Sequence, residues 1–260
     1  MSEFIDAPLL SIVVPIRNMQ GRLDPVRNWL TQADGFNMQV IFLNDASVDE
    51  TLRELHEIVA DKRFSFVKII DGNFGGPGPA RNHGMTLSKG RWIAFWDSDD
   101  EPDVSKFIDM IRLADQEFRD IAVGGWISKR AIQGHDLSGG VEKKHNPKYF
   151  DILMYPGIWR WAFKVELARK SKFPHILMGE DLVFLANLKL SPRFRYEEKV
   201  YTHIQGNPGQ LTSNIKALQD RKEMGKLLNR EELANLFDLL KFMLRMKIRF
   251  SSFWHGRKND

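Results

Sequence analysis

Three short apolar runs constrain this chain more than any other feature. They are Leu9-Leu10-Ser11-Ile12-Val13-Val14-Pro15, Gln39-Val40-Ile41-Phe42-Leu43 leading into Asn44-Asp45, and Arg91–Trp96 leading into Asp97-Ser98-Asp99-Asp100. Continuous apolar runs of this length describe strands buried on both faces. A fourth strand is expected over Phe64–Ile70. Between the strands the pattern is helical: residues 22–34, then Ser47 to about Ala60 behind a Ser47–Glu50 capping box. A further helix covers about Ala80 to Leu87, after a loop rich in Gly and Pro. Strands alternating with helices at this spacing predict an α/β fold with a mostly parallel sheet covered on both faces. Ligands of such sheets bind outside the carboxyl ends of the strands. Asp45 and Asp97–Asp100 fall there.

The second half is less regular. A helix is expected over residues 103–118, a strand over Ile121–Ile127 and a long polar loop over residues 128–148. A strand at Trp159–Val165 and a helix over 179–190 follow. Residues 216–250 read as one or two helices, with Leu233, Leu236, Phe237, Leu240, Met243, Leu244 and Ile248 on one face. The expected partition is one domain over 1–215 and an amphipathic helical extension over 216–260.

Charge bears on that extension. The chain carries +4, but residues 241–260 hold six basic side chains against Asp260, which leaves the first 240 residues at −1. A near-neutral body argues against nucleic acid as a partner. A basic amphipathic tail suits either peripheral contact with anionic lipid or a helix contact, including a homodimer. There are no cysteines, which excludes disulfides and thiolate chemistry. No signal-like start and no apolar window of membrane-spanning length appear. The expected location is cytoplasmic, with the inner face of the membrane as an extension of that reading.

The chemistry concentrates at Asp97-Ser98-Asp99-Asp100. Clustered carboxylates repel and call for a cation, and a hard cation such as Mg²⁺ or Mn²⁺ takes oxygen ligands together with substrate phosphates. The same residues also suit an acidic turn capping the helix that begins near Pro102. Gly75-Gly76-Pro77-Gly78-Pro79 contains neither a dinucleotide nor a P-loop fingerprint. Its sequel, Ala80-Arg81-Asn82-His83-Gly84, offers a guanidinium suited to a phosphate or a base.

In this order the pieces resemble the family 2 glycosyltransferases, which have the GT-A fold. The matching segments are Ser11–Asn18, Asn44–Thr51, Ala80–Gly84, Asp97–Asp100 and the Glu-Asp pair within Gly179–Phe184. The resemblance implies a nucleotide-sugar half over about 1–105 and an acceptor half over about 106–215. It implies that Pro15, Arg17, Asp45, Arg81, Asp97 and Ser98 line the nucleotide-sugar site. Asp99 and Asp97 would form the D-x-D metal motif with Mg²⁺ or Mn²⁺, and Asp181 would be the general base of an inverting transfer. Glu180 is the alternative base.

Three departures stand out: Arg17 where an aromatic residue is common, Asn44 before Asp45, and Ala46 in place of Gly. His203 lies where the family usually has Arg nearby, and is a candidate ligand for the metal or diphosphate. The implied partners are a nucleotide sugar, UDP-linked by expectation, and a glycan or lipid-linked acceptor of cell-surface polysaccharide synthesis. Trp126, Trp159 and Trp161 in the acceptor half fit either sugar stacking or core packing. A sugar nucleotidyltransferase and a non-catalytic carbohydrate- or membrane-binding module are the competing readings.

Overall fold

The structure, a computed structural model, describes residues 7–130, 143–145, 157–176, 179–188 and 193–206, with Arg130 and 143–145 described by backbone only. The expected helical extension over 216–260 lies outside the described residues. Among those described, no helix is long and apolar enough to cross a membrane.

Through Phe95 the elements follow the expected order. They are β1 (Leu10–Ile16), α1 (Asp24–Ala33), β2 (Met38–Asp45), α2 (Thr51–Val59), β3 (Val67–Gly72), α3 (Pro77–Leu87), β4 (Trp92–Phe95), β5 (Glu101–Pro102) and α4 (Val104–Gln116). Then come β6 (Ile121–Arg130), β7 (Lys143–His145), β8 (Trp161–Lys164), α5 (Val165–Ala168), α6 (Glu180–Asn187) and β9 (Arg193–Gln205). Among the described residues, one sheet holds all nine strands in the order β3-β2-β1-β4-β8-β6-β9-β5, with β7 on β6. Strands β3, β2, β1 and β4 are mutually parallel. The chain leaves β1 outward through β2 and β3, then returns on the other side as β4. The order therefore reverses between β1 and β4, which is where α/β sheets bind ligands.

Burial on both faces explains the uninterrupted apolar strands. Ile12 and Val14 of β1 pack with Trp29, Phe42, Trp96 and Phe107 under α1 and α4. Val13 points the other way, into a second core with Leu43, Phe95, Phe163 and Phe184 under α3 and α6. Helix α1 buries Val26, Trp29, Leu30 and Ala33, the helical spacing that faces one core. Pro15 is tolerated in β1 because β4 ends its pairing at Val13, so no ladder bond on that side needs its missing N–H.

Four expectations are corrected. The Ser47–Glu50 capping box does not form, and α2 starts only at Thr51. Ser47 Oγ instead donates to Asn44 Oδ1 and accepts from the Asn18 N–H, while Asp49 accepts from the Thr51 N–H. The cap of α4 is Asp103, whose carboxylate accepts from the Lys106 N–H at 3.1 Å, so Asp97–Asp100 are released from that task. The ends of the expected loop over 128–148 are strand, in β6 and β7. The 13-residue strand β9 had no counterpart among the expected elements. It pairs parallel to β6 with register shifts at Gly124 and Gly125.

Candidate active site

Asp45 ends β2 and is 3% exposed. Its carboxylate accepts from the backbone N–H groups of Phe74 (2.5 Å), Gly75 (3.0 Å) and Gly76 (2.7 Å). Asp45 thus holds the loop between β3 and α3 against the sheet, and Arg17 Nη1 stands 3.8 Å from the same carboxylate with an exposed side chain. Gly75 and Gly76 have φ of 81° and 129°, a backbone that side chains disfavour, and this lets three successive amides turn onto one carboxylate.

Each residue of Ala80-Arg81-Asn82-His83-Gly84 on α3 has a place. Ala80 is in the core. Asn82 clamps the backbone of Phe173 from both sides, donating to its carbonyl at 2.8 Å and accepting from its N–H at 2.9 Å. The ring of His83 meets Phe74. Gly84 lies so close to Val13 and Leu43 that a Cβ there would collide with both. Arg81 is buried. Its Nη1 donates to Glu180 Oε1 (2.8 Å) and Asp181 Oδ1 (3.0 Å), and its Nη2 donates to Asp97 Oδ1 (2.8 Å). The Phe173 ring lies 5.4 Å from its Cζ.

Glu180 and Asp181 open α6. Asp181 Oδ2 accepts from the Ile158 N–H at 3.1 Å. Burial pushes the Asp181 carboxyl up to about 7; Arg81 pulls against that shift, and the nearby charges of Glu180 and Asp97 add to it. Burial raises Glu180 too, against the pull of Arg81.

The turn after β4 is stitched to β9. The Asp97 N–H donates to Tyr201 Oη at 3.1 Å, and the fully buried Asp100 accepts from the Ile204 N–H at 2.7 Å. Asp100 Oδ2 lies 3.1 Å from His203 Nδ1. Burial lifts Asp100 to about 7, with His203 opposing. Burial works to lower His203, but the hydrogen bond and charge of Asp100 more than offset it, and His203 is raised. Trp159 stacks on both Tyr201 (4.6 Å) and His203 (5.3 Å), with Trp126 edge-on to it. Trp126, Trp159 and Trp161 are all buried, as core side chains are, and Trp126 and Trp159 back His203.

The candidate residues therefore divide by place. Asp97, Arg81 and Asp181 meet directly, with Glu180 beside them. Ser98 is buried and Asp99 half-buried in the same turn, and His203 reaches that turn through Asp100. Arg17, Asp45 and Pro15 form a separate group at the ends of β1 and β2. Asp100, Tyr201 and Asn82 belong to the site by geometry; Asp100 and Asn82 lie inside segments that the sequence singled out, without a role of their own there, whereas Tyr201 was not singled out.

Among the described residues, no group of three or more His, Cys, Asp or Glu is gathered so as to hold a metal by itself. The donors fit a shared site all the same. Asp97, Asp99, Asp100, Glu180 and Asp181 outnumber the one arginine among them, Arg81. Asp97 and Asp99 offer oxygen to a hard dication that takes its remaining ligands from phosphate. A histidine whose Nδ1 is held by a buried carboxylate presents Nε2 in fixed orientation, the usual arrangement behind a ligating imidazole.

Known proteins resemble this chain in sequence and in fold. A model of the family described as "Glycosyl transferase family 2" matches residues 11–159. A poly(ribitol-phosphate) beta-glucosyltransferase of Bacillus spizizenii is 28% identical over 197 residues, covering 71% of this chain and 30% of that protein. A GalNAc(5)-diNAcBac-PP-undecaprenol beta-1,3-glucosyltransferase of Campylobacter jejuni is 25% identical over 199 residues, covering 75% and 62%. The chain thus spans less than two thirds of these relatives. Among solved structures, Staphylococcus aureus TarS in complex with UDP-GlcNAc superposes with a TM-score of 0.65 at 19% identity, over 84% of this chain and 65% of that one. The Pyrobaculum calidifontis mannosyltransferase PcManGT, with GDP-Man and Mn²⁺, gives 0.59 at 14% identity, over 82% and 61%. At such identities the likeness shows a common GT-A-type fold.

Proposed function

The chain belongs to glycosyl transferase family 2, and from that premise we propose that it is an inverting transferase moving a sugar from a nucleotide sugar to a hydroxyl of a glycan or lipid-linked acceptor. One observation carries the reading. Asp97 behind β4 and Asp181 on α6 converge on one buried guanidinium, so carboxylates from two distant stretches of chain stand together at one place, as a donor-side group and a separate base require. Relatives that act on poly(ribitol-phosphate) and on an undecaprenol-linked glycan support a cell-surface acceptor. The UDP-GlcNAc complex of TarS supports a UDP-linked donor.

In this reading Pro15, Arg17, Asp45 and Ser98 border the nucleotide-sugar pocket, Asp45 chiefly by shaping the loop over Phe74–Gly76. Asp97, Asp99 and His203 would hold Mg²⁺ or Mn²⁺. When bound, that ion supplies positive charge for the departing diphosphate. Asp181 takes the proton of the acceptor hydroxyl. The acceptor oxygen then bonds to the anomeric carbon as the bond from that carbon to the diphosphate oxygen breaks, and the configuration inverts. A base whose carboxyl ionises near neutrality is matched to this task. Asp181 is preferred to Glu180 because its side chain is 19% exposed against 11% and is held from two sides, by Arg81 and by the Ile158 amide.

The test is a panel of UDP-, GDP- and TDP-sugars read by nucleotide release, with Mn²⁺, with Mg²⁺ and with chelator. Release from at least one UDP-sugar, abolished by chelator, is expected. No release across the panel with a range of glycan and lipid-linked acceptors refutes the proposal.

A further inference from the structure

Arg81 is 3% exposed, and its three ion pairs come from two distant stretches of chain, Asp97 sixteen residues on and Glu180 and Asp181 about a hundred residues on. Nη1 donates to both Glu180 and Asp181, and moving it onto a nucleotide would strand the buried Glu180 carboxylate, a severe penalty in the interior. Moving Nη2 would break the ion pair to Asp97, whose side chain is 30% exposed. The neighbours of Arg81 on α3 hold the same wall in place: Asn82 bonds the Phe173 backbone on both sides, and Gly78 allows α3 to approach Pro174. A planar fork spans Asp97 on one nitrogen and the Glu180–Asp181 pair on the other, which a lysine ammonium cannot do.

We propose that Arg81 is a positioning residue: it fixes Oδ1 of Asp181 while the Ile158 amide fixes Oδ2, and so sets the base at a defined distance from the donor-side Asp97 without itself touching the nucleotide. This rests on the glycosyltransferase reading above. It assigns to Arg81 a role different from the nucleotide contact that the sequence resemblance implies.

The experiment compares wild type with Arg81→Lys, measuring donor Kd by calorimetry and kcat and KM by nucleotide release, with the melting temperature as fold control. In a folded Arg81→Lys protein, donor Kd stays within about threefold while kcat falls about 100-fold, the scale of an ångström's misplacement of a reacting group. A nucleotide contact would do the reverse, raising donor Kd and KM about tenfold with kcat nearly unchanged, and that result overturns the proposal. Should the lysine variant not fold, the double variant Arg81→Gln/Glu180→Gln removes one carboxylate together with the cation, and the same split between Kd and kcat decides. Wild-type protein that turns over no donor overturns the underlying reading, and this inference with it; an active wild type with the reversed split overturns this inference alone.

Discussion

Gly78 governs how near α3 comes to the wall that carries the base. A Cβ at this position would sit 2.5 Å from the Pro174 carbonyl oxygen, 3.3 Å from Phe173 Cβ and 3.7 Å from Glu180 Cβ. Carbon and carbonyl oxygen ordinarily meet at about 3.3 Å or more, so Gly78→Ala must push α3 and the wall formed by Phe173, Pro174, Glu180 and Asp181 roughly 0.8 Å apart. Arg81 is one helical turn further along the same face. Its bonds to Glu180 and Asp181, at 2.8 and 3.0 Å, would then lengthen to about 3.6 Å or beyond, outside hydrogen-bonding range. Overpacking of this kind costs about 1–3 kcal/mol, offset by up to about 1 kcal/mol of helix propensity. The net loss is roughly 0–3 kcal/mol, a fall in Tm of no more than about 12 °C for a chain of this size. Activity should suffer far more, by about 100-fold in kcat. The assay is nucleotide release beside differential scanning calorimetry. A Gly78→Ala protein with wild-type kcat would show that the spacing of α3 does not set the geometry of the base.

Three further outcomes follow from the carboxyls of the site. kcat/KM should rise with pH through an acid limb near 7 as Asp181 loses its proton; Glu180→Gln, by removing a neighbouring negative charge, should move that limb to lower pH. Because Asp181 and Asp100 are both raised to about 7, the folded metal-free protein keeps protons that the unfolded chain has released above about pH 4. Its stability should therefore be highest at the acid side of that window and decline as pH rises to about 7, as read by urea unfolding; stability rising over the window would contradict the burial argument. Asp100→Asn should weaken Mn²⁺ binding about 10- to 100-fold, the usual effect of losing a carboxylate behind a ligating histidine, measured by electron paramagnetic resonance titration. Unchanged Mn²⁺ affinity would remove His203 from the donor set.

The parts legible in the sequence are those where one short segment holds all the information. Strands β1, β2 and β4 are buried on both faces, so their apolar runs stand out, and their polar tips mark the ligand edge of the sheet. Strand β9 stayed hidden for a physical reason. Its register on β6 skips from Tyr196 to Lys199 between Gly124 and Gly125, so its alternation of apolar and polar residues changes phase midway. Gly125 makes this possible, since a Cβ there would strike the Glu198 carbonyl at 2.9 Å. The capping box failed because Ser47 is drawn into a loop with Asn18 and Asn44, partners from other segments. The acidic cluster was visible, but its division of labour was not. That Asp100 orients His203, and that Arg81 serves carboxylates a hundred residues away, depends on tertiary contacts that no local pattern encodes.

The central claim is that a donor-binding cleft and a distinct base carboxylate cooperate in one displacement. Asp181→Asn tests it most directly, because it removes the base while keeping shape and leaving the residues assigned to the donor untouched. Measured by calorimetry and by single-turnover transfer from the donor that the panel identifies, the variant should bind nucleotide sugar with wild-type Kd and lose transfer by about a hundredfold or more, the scale of a general base's contribution. Transfer at the wild-type rate from a correctly folded Asp181→Asn protein would contradict the account.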